Sequence, residues 1–296
     1  MRVLVAHDGS DGAMKAVGLV GSAAWPSTAL IRVVSVVEPN VVPSREPWRN
    51  EAMATFASTD AADRNAEAVR RLRSPDRSVE GAVLHGRPAT VVVDEAHTFG
   101  ADVIVMGSRG RGSIASLLLG SVSAEVTDQA GCPVLVARAP AITQVVLATD
   151  ESPSALAAES IVIEWPIFAG LPIRVVSVAE TVHPTSGVAP FLIDQVRAAH
   201  AEYRHELTGA HQRAADEVAD RLRHAGRPAE PEMREGDAAA EIIAVADERS
   251  ADLIVLGSRG RTGLKRLLLG SVARNVLSGT NASVLIVHER HRPVEP

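Results

Sequence analysis

Two glycine-rich segments of this 296-residue sequence offer residue types that could bind a ligand through the backbone. Residues 101–122 and 251–272 are identical at 15 of 22 positions, which indicates an internal duplication. Both copies have the spacing Gly-x2-Gly-x9-Gly-Ser, which is met by Gly107, Gly110, Gly120 and Ser121 and again by Gly257, Gly260, Gly270 and Ser271.

A segment of this kind suits a phosphate group. Glycine adopts positive φ readily and has no side chain to hold a phosphate away, which we expect at Gly107 and Gly110. Gly120 and Ser121 open a predicted helix whose first N–H groups and dipole favour an anion. The Ser121 hydroxyl can either cap that helix or donate to the phosphate. In the simpler alternative the glycines only turn the chain and residues 117–119 pack the helix. The spacing is not that of a P-loop.

Strands and helices alternate along each half of the sequence. Short apolar runs such as Val3–Ala6 are typical of strands in a parallel sheet that is covered on both faces. Ser10 and Ser152 are predicted helix N-caps, and Pro153 fits a first helical position. The third strand of the second half, near 230–234, is weakly marked. The pattern predicts an α/β fold of two tandem doubly wound domains, at residues 1–139 and 143–290. Each has a five-stranded parallel sheet flanked by helices.

Composition excludes several classes of partner. The net charge is −6 and the sequence pI is about 5.9, so no overall basic field is available for nucleic acid or an anionic membrane. No apolar run approaches the ~20 residues that span a bilayer. The single cysteine, Cys132, agrees with a reducing cytoplasm and is expected to be a buried packing residue.

One acidic residue in each half follows the first strand. Asp8 and Asp150 could accept hydrogen bonds from ribose or bind Mg²⁺ through oxygen. A carboxylate at that place could equally cap the following helix, and residue type alone favours the cap. The second-strand valines Val36 and Val178 look like core residues on pattern alone.

The repeated glycine pattern resembles the ATP-binding signature of universal stress proteins, and the resemblance covers essentially the whole chain. It implies an adenine nucleotide alpha hydrolase-like fold that binds ATP and Mg²⁺, with Asp8 and Asp150 by the ribose and phosphates or their metal. It also implies that the backbones of Val36 and Val178 recognise adenine. The predicted ATP contacts are Asp8, Val36, Gly107, Arg109, Gly110, Gly120, Ser121 and Val122, with Asp150, Val178, Gly257, Arg259, Gly260, Gly270, Ser271 and Val272 in the second half.

The resemblance also implies how the two halves assemble. Universal stress proteins commonly dimerise through their fifth strand, so 134–137 and 284–287 are predicted to pair within this chain as an intramolecular pseudo-dimer. Such pairing would cover two apolar strand edges. A further homodimer of chains and an unknown regulatory protein partner stay open.

The two glycine segments differ in charge. Lys265 and Arg266 replace Ala115 and Ser116, so the second segment has two additional cations. If they face the phosphates, the second site binds ATP at least as tightly as the first. If they face solvent, they have no such effect.

Three classes of function remain: a nucleotide-binding regulator, a slow ATPase or nucleotidyl-transfer enzyme, and a structural module with degenerate sites. The intact glycines argue against the third class. Phosphoryl transfer needs a group that orients the nucleophile, and no motif supplies one. His7 is expected to pack or cap, and His85 is a weak candidate ligand contact. We therefore predict a cytoplasmic regulatory ATP sensor with little or no fast catalysis.

Overall fold

A computed structural model describes residues 1–38, 47–75, 77–110, 119–180, 193–260 and 269–289. Several predictions concern positions outside the described residues. They include most of a loop predicted at residues 39–47, whose last residue begins α2, and the charge difference at Lys265 and Arg266. Residues 111–118 and 261–268 of the two glycine segments also lie outside them, whereas all sixteen predicted ATP contacts lie inside.

The first half alternates strands and helices as the sequence predicts. Its elements are β1 (Arg2–Ala6), α1 (Asp11–Ser22), β2 (Leu30–Val37), α2 (Pro47–Leu72), β3 (Ser78–His85), α3 (Pro88–Phe99), β4 (Val103–Gly107), α4 (Ser121–Gln129) and β5 (Val134–Ala137). Ser10 is the N-cap of α1, as predicted, and its side chain accepts the Ala13 N–H.

The second half repeats that order. Its elements are β6 (Val145–Ala148), α5 (Pro153–Glu164), β7 (Ile173–Ala179), α6 (Ile193–His224), β8 (Ala229–Glu235), α7 (Ala238–Glu248), β9 (Leu253–Gly257), α8 (Ser271–Gly279) and β10 (Ser283–Val287). A 3₁₀ turn at Pro166–Phe168 follows α5 and was not predicted. The weakly marked third strand is a full strand, β8, because it pairs along its whole length with β7.

All ten strands form one sheet in the order β3-β2-β1-β4-β5-β10-β9-β6-β7-β8. Within each half the strands are parallel. The predicted fold class is therefore confirmed, with the addition that the two five-stranded sheets are continuous. The chain leaves β1 towards β2 on one side, and β4 lies on the other side. The ends of β1 and β4, like those of β6 and β9, are thus a topological switch point, where open α/β sheets bind ligands.

Helices cover both faces of the sheet. Alternate residues of a strand point to opposite faces, and in β1 Val3 and Val5 join one apolar cluster while Leu4 joins the other. The first cluster contains buried residues of α1, α2, α5 and α6, and the second contains those of α3, α4, α7 and α8. The strands are therefore buried on both faces, which explains their continuous apolar runs.

The two halves are joined by β5 and β10, which pair antiparallel with Leu135 opposite Leu285. This is the intrachain pairing of fifth strands that the sequence predicts. On one face of this junction Trp25 and Trp165, which follow α1 and α5, lie with ring centroids 6.4 Å apart. Both tryptophans are buried, so the halves share a core.

A pair of side chains crosses the junction at equivalent positions of the two repeats, 150 residues apart. Arg138 follows β5, and its Nη2 donates to the carbonyl of Leu277 at 2.6 Å. His288 follows β10, and its Nε2 donates to the carbonyl of Thr127 at 3.0 Å. Each half thereby satisfies a carbonyl near the end of the other half's last helix. Burial, with a smaller effect of the Arg109 charge, lowers the pKa of Arg138 to about 10.

Among the described residues, no helix combines the length and apolar character needed to cross a membrane.

The junction should weaken in acid. Burial lowers the pKa of His288 below its usual 6.5, although hydrogen bonds to the Thr127 and Cys132 backbones partly offset the effect. Burial also lowers the pKa of His7. As pH falls below about 6.5 the unfolded chain takes up more protons than the folded chain, so the free energy of unfolding decreases. Urea unfolding at pH steps from 7.5 to 5.5 measures this decrease.

Two variants separate the contribution of the junction. His288→Arg, which copies the residue at the equivalent position in the first repeat, removes this titration and should leave a smaller decrease due to His7. His97→Arg adds the same charge at an exposed position and should keep the full decrease. Equal pH dependence in the unmodified chain and His288→Arg would contradict the assignment.

Candidate functional site

The carboxyl ends of β1 and β4 bring Asp8 next to the glycine segment. A Cβ added to Gly110 would lie 2.7 Å from Asp8 Oδ2. In the second half a Cβ on Gly260 would lie 3.0 Å from Asp150 Oδ2. Each carboxylate therefore lies against the second glycine of its segment, at the switch point of its half.

The other oxygen of each carboxylate supports the turn into the next helix. Asp8 Oδ1 accepts the N–H of Ser10 at 3.0 Å, and Asp150 Oδ1 accepts that of Ser152 at the same distance. These are Asx turns, whereas the helix caps are the serines themselves. The sequence alternative in which Asp8 and Asp150 cap the following helix is therefore wrong, because the serines are the N-caps and each carboxylate instead supports the turn before the helix.

The capping serines also hold the glycine segments in place. Ser10 Oγ donates to the carbonyl of Arg109 at 3.0 Å, and Ser152 Oγ lies 3.1 Å from the carbonyl of Arg259. In the second half Ser154 Oγ also accepts the Arg259 N–H at 3.2 Å. The sequence predicted the caps but not these links between the β1–α1 turn and the residue after β4. Nothing in the local pattern signals a partner 99 residues away.

One of the two reasons given for Gly107 and Gly110 from sequence was wrong, because neither glycine has a positive φ. A Cβ on Gly107 would lie 2.3 Å from the backbone carbon of Gly12 and 2.6 Å from the nitrogen of Ala13, so Gly107 lets α1 cross the end of β4. Gly257 has the same function, because its Cβ would lie 2.8 Å from the nitrogen of Ala155. Close packing, not an unusual φ, requires glycine here.

The helices α4 and α8 begin at the same edge. Their N-cap residues, Gly120 and Gly270, have no side chain that could cap the helix. The N–H of Gly120 donates to the carbonyl of Ser108, and that of Gly270 to the carbonyl of Ser258, both at 2.7 Å. Ser121 and Ser271 are the first helical residues and are exposed. Val122 and Val272 follow and are half-buried. Ser121 therefore does not cap its helix, which settles one of the two alternatives for its hydroxyl.

The valines of the second strands offer backbone groups to the cleft. The N–H of His7, the residue after the end of β1, donates to the carbonyl of Val34 in β2. Because backbone groups alternate sides along a strand, the N–H and C=O of Val36 face the space beyond the end of β1. Val178 has the same place in β7, since Thr149 donates to the carbonyl of Val176 two residues earlier.

A cavity of about 600 Å³ occupies this place in the second half. Its volume lies within the range of small-molecule sites. All eight residues predicted for the second site line it: Asp150, Val178, Gly257, Arg259, Gly260, Gly270, Ser271 and Val272. The sequence missed a wall that α6 contributes, formed by Tyr203, Leu207 and His211. Residues spaced four apart on a helix carry no sequence signal that distinguishes a cavity wall from core.

The loop arginines lie close to the junction of the halves. The charge of Arg109 lowers the pKa of Arg138, and that of Arg259 contributes to the lowered pKa of His288, in both cases after the larger effect of burial. Arg259 is half-buried, with an Nε that has no hydrogen-bond partner. The arginine between the first two glycines of each segment is therefore close enough to act electrostatically on the residue that crosses the junction.

The sequence analysis also singled out His7, His85 and Cys132. His7 is 4% exposed, with Nε2 3.4 Å from Met14 Sδ, so it packs as predicted. His85 Nε2 lies 3.2 Å from Ser58 Oγ at the end of β3. Cys132 is half-buried against the second apolar cluster, less enclosed than predicted because it lies in the exposed turn before β5.

The site has a sparse set of metal ligands. Among the described residues, no group of three or more His, Cys, Asp or Glu side chains could hold a metal ion. Asp8 and Asp150 each bring one carboxylate to the cleft. That suits Mg²⁺ bound mainly through phosphates and water better than a metal site built from protein ligands alone.

The fold and the cleft define a tandem α/β protein of the doubly wound type, with a ligand-sized cleft at a topological switch point. The model of the universal stress protein family matches residues 1–138 and again 141–288. The chain belongs to the universal stress protein family.

Individual relatives agree with this assignment. A universal stress protein of Mycobacterium bovis is 26% identical, and the match covers 99% of this chain and 97% of that one. A universal stress protein of Thermus aquaticus is 35% identical over 142 residues, or 46% of this chain and 97% of that one. The crystal structure of a universal stress protein from Archaeoglobus fulgidus superposes with a TM-score of 0.66 at 18% identity. That match covers 97% of this chain and 98% of that one, which supports the fold.

Replacing Gly107 with alanine should lower the free energy of unfolding by about 1–3 kcal/mol, because the added methyl overpacks the backbone of α1. Urea unfolding measures the change. Gly131→Ala is the matched control, since a Cβ there has no atom within 4 Å, and it should change stability by less than about 0.5 kcal/mol. Equal stability of the two variants would show that α1 does not pack on β4 as described.

Proposed function

We propose that this universal stress protein binds ATP with Mg²⁺ at one site in each half and acts as a regulatory nucleotide sensor in the cytoplasm. One observation carries the proposal: the second-half cavity is lined by all eight residues predicted as ATP contacts of that half. The first half has the same strand order and the same contact between Asp8 and Gly110, so we extend the proposal to it.

We place the phosphate end of the nucleotide at the first turns of α4 and α8. Both helices begin with a glycine N-cap that leaves the first-turn N–H groups without a side-chain cap, and the helix dipole adds positive potential there. The exposed Ser121 and Ser271 lie beside those N–H groups, where a hydroxyl can donate to a phosphate oxygen.

We place the ribose and the metal at Asp8 and Asp150. Asp8 and Asp150 each keep one oxygen in an Asx turn, which fixes the carboxylate at the edge of the cleft. The carboxylate can accept from a ribose hydroxyl or supply one ligand to Mg²⁺, whose other ligands would be phosphates and water. When bound, Mg²⁺ would neutralise part of the triphosphate charge.

We place the adenine ring beside β2 and β7, the second strand of each half. The N–H and C=O of Val36 and Val178 face the space beyond the first strand of each half, and Val178 lines the cavity. A backbone donor and acceptor at adjacent positions match the edge of a purine base. A regulatory function fits this arrangement, because the proposed contacts to the base and the phosphates use backbone groups.

Adding a carboxylate at the start of α8 should weaken ATP binding without destabilising the fold. Ser271→Asp places a negative charge beside the proposed phosphates, which should weaken that site about fivefold or more at low salt. A negative charge near a helix N-terminus stabilises the helix, so the melting temperature should not fall. Titration calorimetry with ATP and Mg²⁺ measures the affinity, and Ser121→Asp tests the first site in the same way.

Ser271→Asn, of similar size but neutral, is the matched control and should bind ATP within about twofold of the unmodified chain, because it introduces no charge repulsion. If Ser271→Asp and Ser271→Asn bound ATP equally, the phosphate position would be wrong. Release of ADP, followed in the same samples, tests the slow ATPase that the sequence left as an alternative.

A further inference from the structure

The long helix α6 contributes a wall to the second-half cavity. Tyr203, Leu207 and His211 line it together with Asp150 and Val178. The three helical residues are spaced four apart, so they share one face of α6. They extend the site beyond the glycine segment and the strand ends, on the side towards β7.

This wall differs between the halves. The buried faces of α2 and α6 match at a spacing of 150 residues, since Leu72 and Leu222 are both fully buried, as are Ala68 and Val218. At that spacing the positions of Tyr203, Leu207 and His211 are occupied in the first half by Met53, Ala57 and Ala61. The second half therefore has an aromatic ring and an imidazole where the first half has small or flexible aliphatic side chains.

His211 fixes the wall against the sheet. Its Nδ1 lies 2.8 Å from Ser177 Oγ in the middle of β7. Tyr203 is two turns nearer the start of α6 and is 59% exposed, although it lines the cavity. A large aromatic ring left open beside a ligand-sized cavity gains contact area when a flat ring lies on it.

We propose that Tyr203 stacks on the base of the nucleotide in the second site, so that the base contributes more to binding there than in the first site. The inference rests on the proposed ATP binding and adds a base-recognition residue to it. Stacking on an aromatic side chain is a common way to hold a nucleobase and tolerates any base, so Tyr203 strengthens binding of nucleotides over inorganic polyphosphate.

The sequence contains one tyrosine, which gives a direct spectroscopic reporter. In protein labelled with ¹³C only at tyrosine, the ring signals of Tyr203 are the sole aromatic signals. ATP with Mg²⁺ should move them upfield by the ring current of a stacked base, whereas inorganic tripolyphosphate should not. Equal shifts with both ligands, or no shift at saturating ATP, would overturn the inference.

Affinity variants supply an independent measurement. Tyr203→Leu should weaken ATP at one of the two sites by about fivefold to 150-fold, the range of a base–aromatic stack. Tyr203→Phe should keep the affinity, because the ring is retained. Met53→Leu is the matched control in the first half and should leave both sites unchanged. Equal ATP affinity of the Leu and Phe variants would contradict stacking.

Calorimetry on the unmodified chain and on Tyr203→Leu distinguishes failure of the proposed ATP binding from failure of the base-stacking inference. No heat of ATP binding at any site would mean that the proposed function itself fails. ATP binding that is insensitive to Tyr203→Leu would leave that function intact and remove only the base-stacking inference.

Discussion

The antiparallel pairing of β5 with β10 is the interaction on which the arrangement of this protein depends. Each of these strands would otherwise be an exposed and mostly apolar sheet edge, and every residue of β5 and β10 is buried. Such edges promote aggregation when they are left unpaired. Pairing them within one chain turns two five-stranded sheets into one and leaves β3 and β8 as the outer strands.

The junction also lies close to the candidate sites. β4 is next to β5 and β9 is next to β10, so each glycine segment leaves the sheet one strand away from the interface. Arg138 and His288 each hydrogen-bond to the last helix of the other half. Besides burial, the charge of Arg109 lowers the pKa of Arg138, and that of Arg259 lowers the pKa of His288. The helices α4 and α8, whose first turns form the proposed phosphate sites, are thus held at their last turns by the opposite half.

Most of the architecture could be predicted from the sequence because the duplication and the apolar runs are local signals. The start of α4 and the bounds of β5 match the prediction, and Ser10 and Ser152 cap their helices. β8 was weakly marked because Pro231 and alternating charged residues make it look like loop, although an outer strand tolerates both.

The candidate site was predicted less completely, since it depends on contacts between distant segments. The spacing of the glycines identified Gly107, but its structural reason is the approach of α1, which no local pattern shows. The link from Ser10 to Arg109 spans 99 residues. The sequence did not predict Tyr203 as a site residue, because it lines the cavity only through the packing of α6 on β7.

The central claim is that each half of this universal stress protein holds one ATP. Native mass spectrometry of the unmodified chain, titrated with ATP and Mg²⁺, counts the bound nucleotides directly. We predict a species with two nucleotides per chain at saturation, reached through a species with one. Saturation at a single nucleotide, or no bound nucleotide at all, would contradict the account.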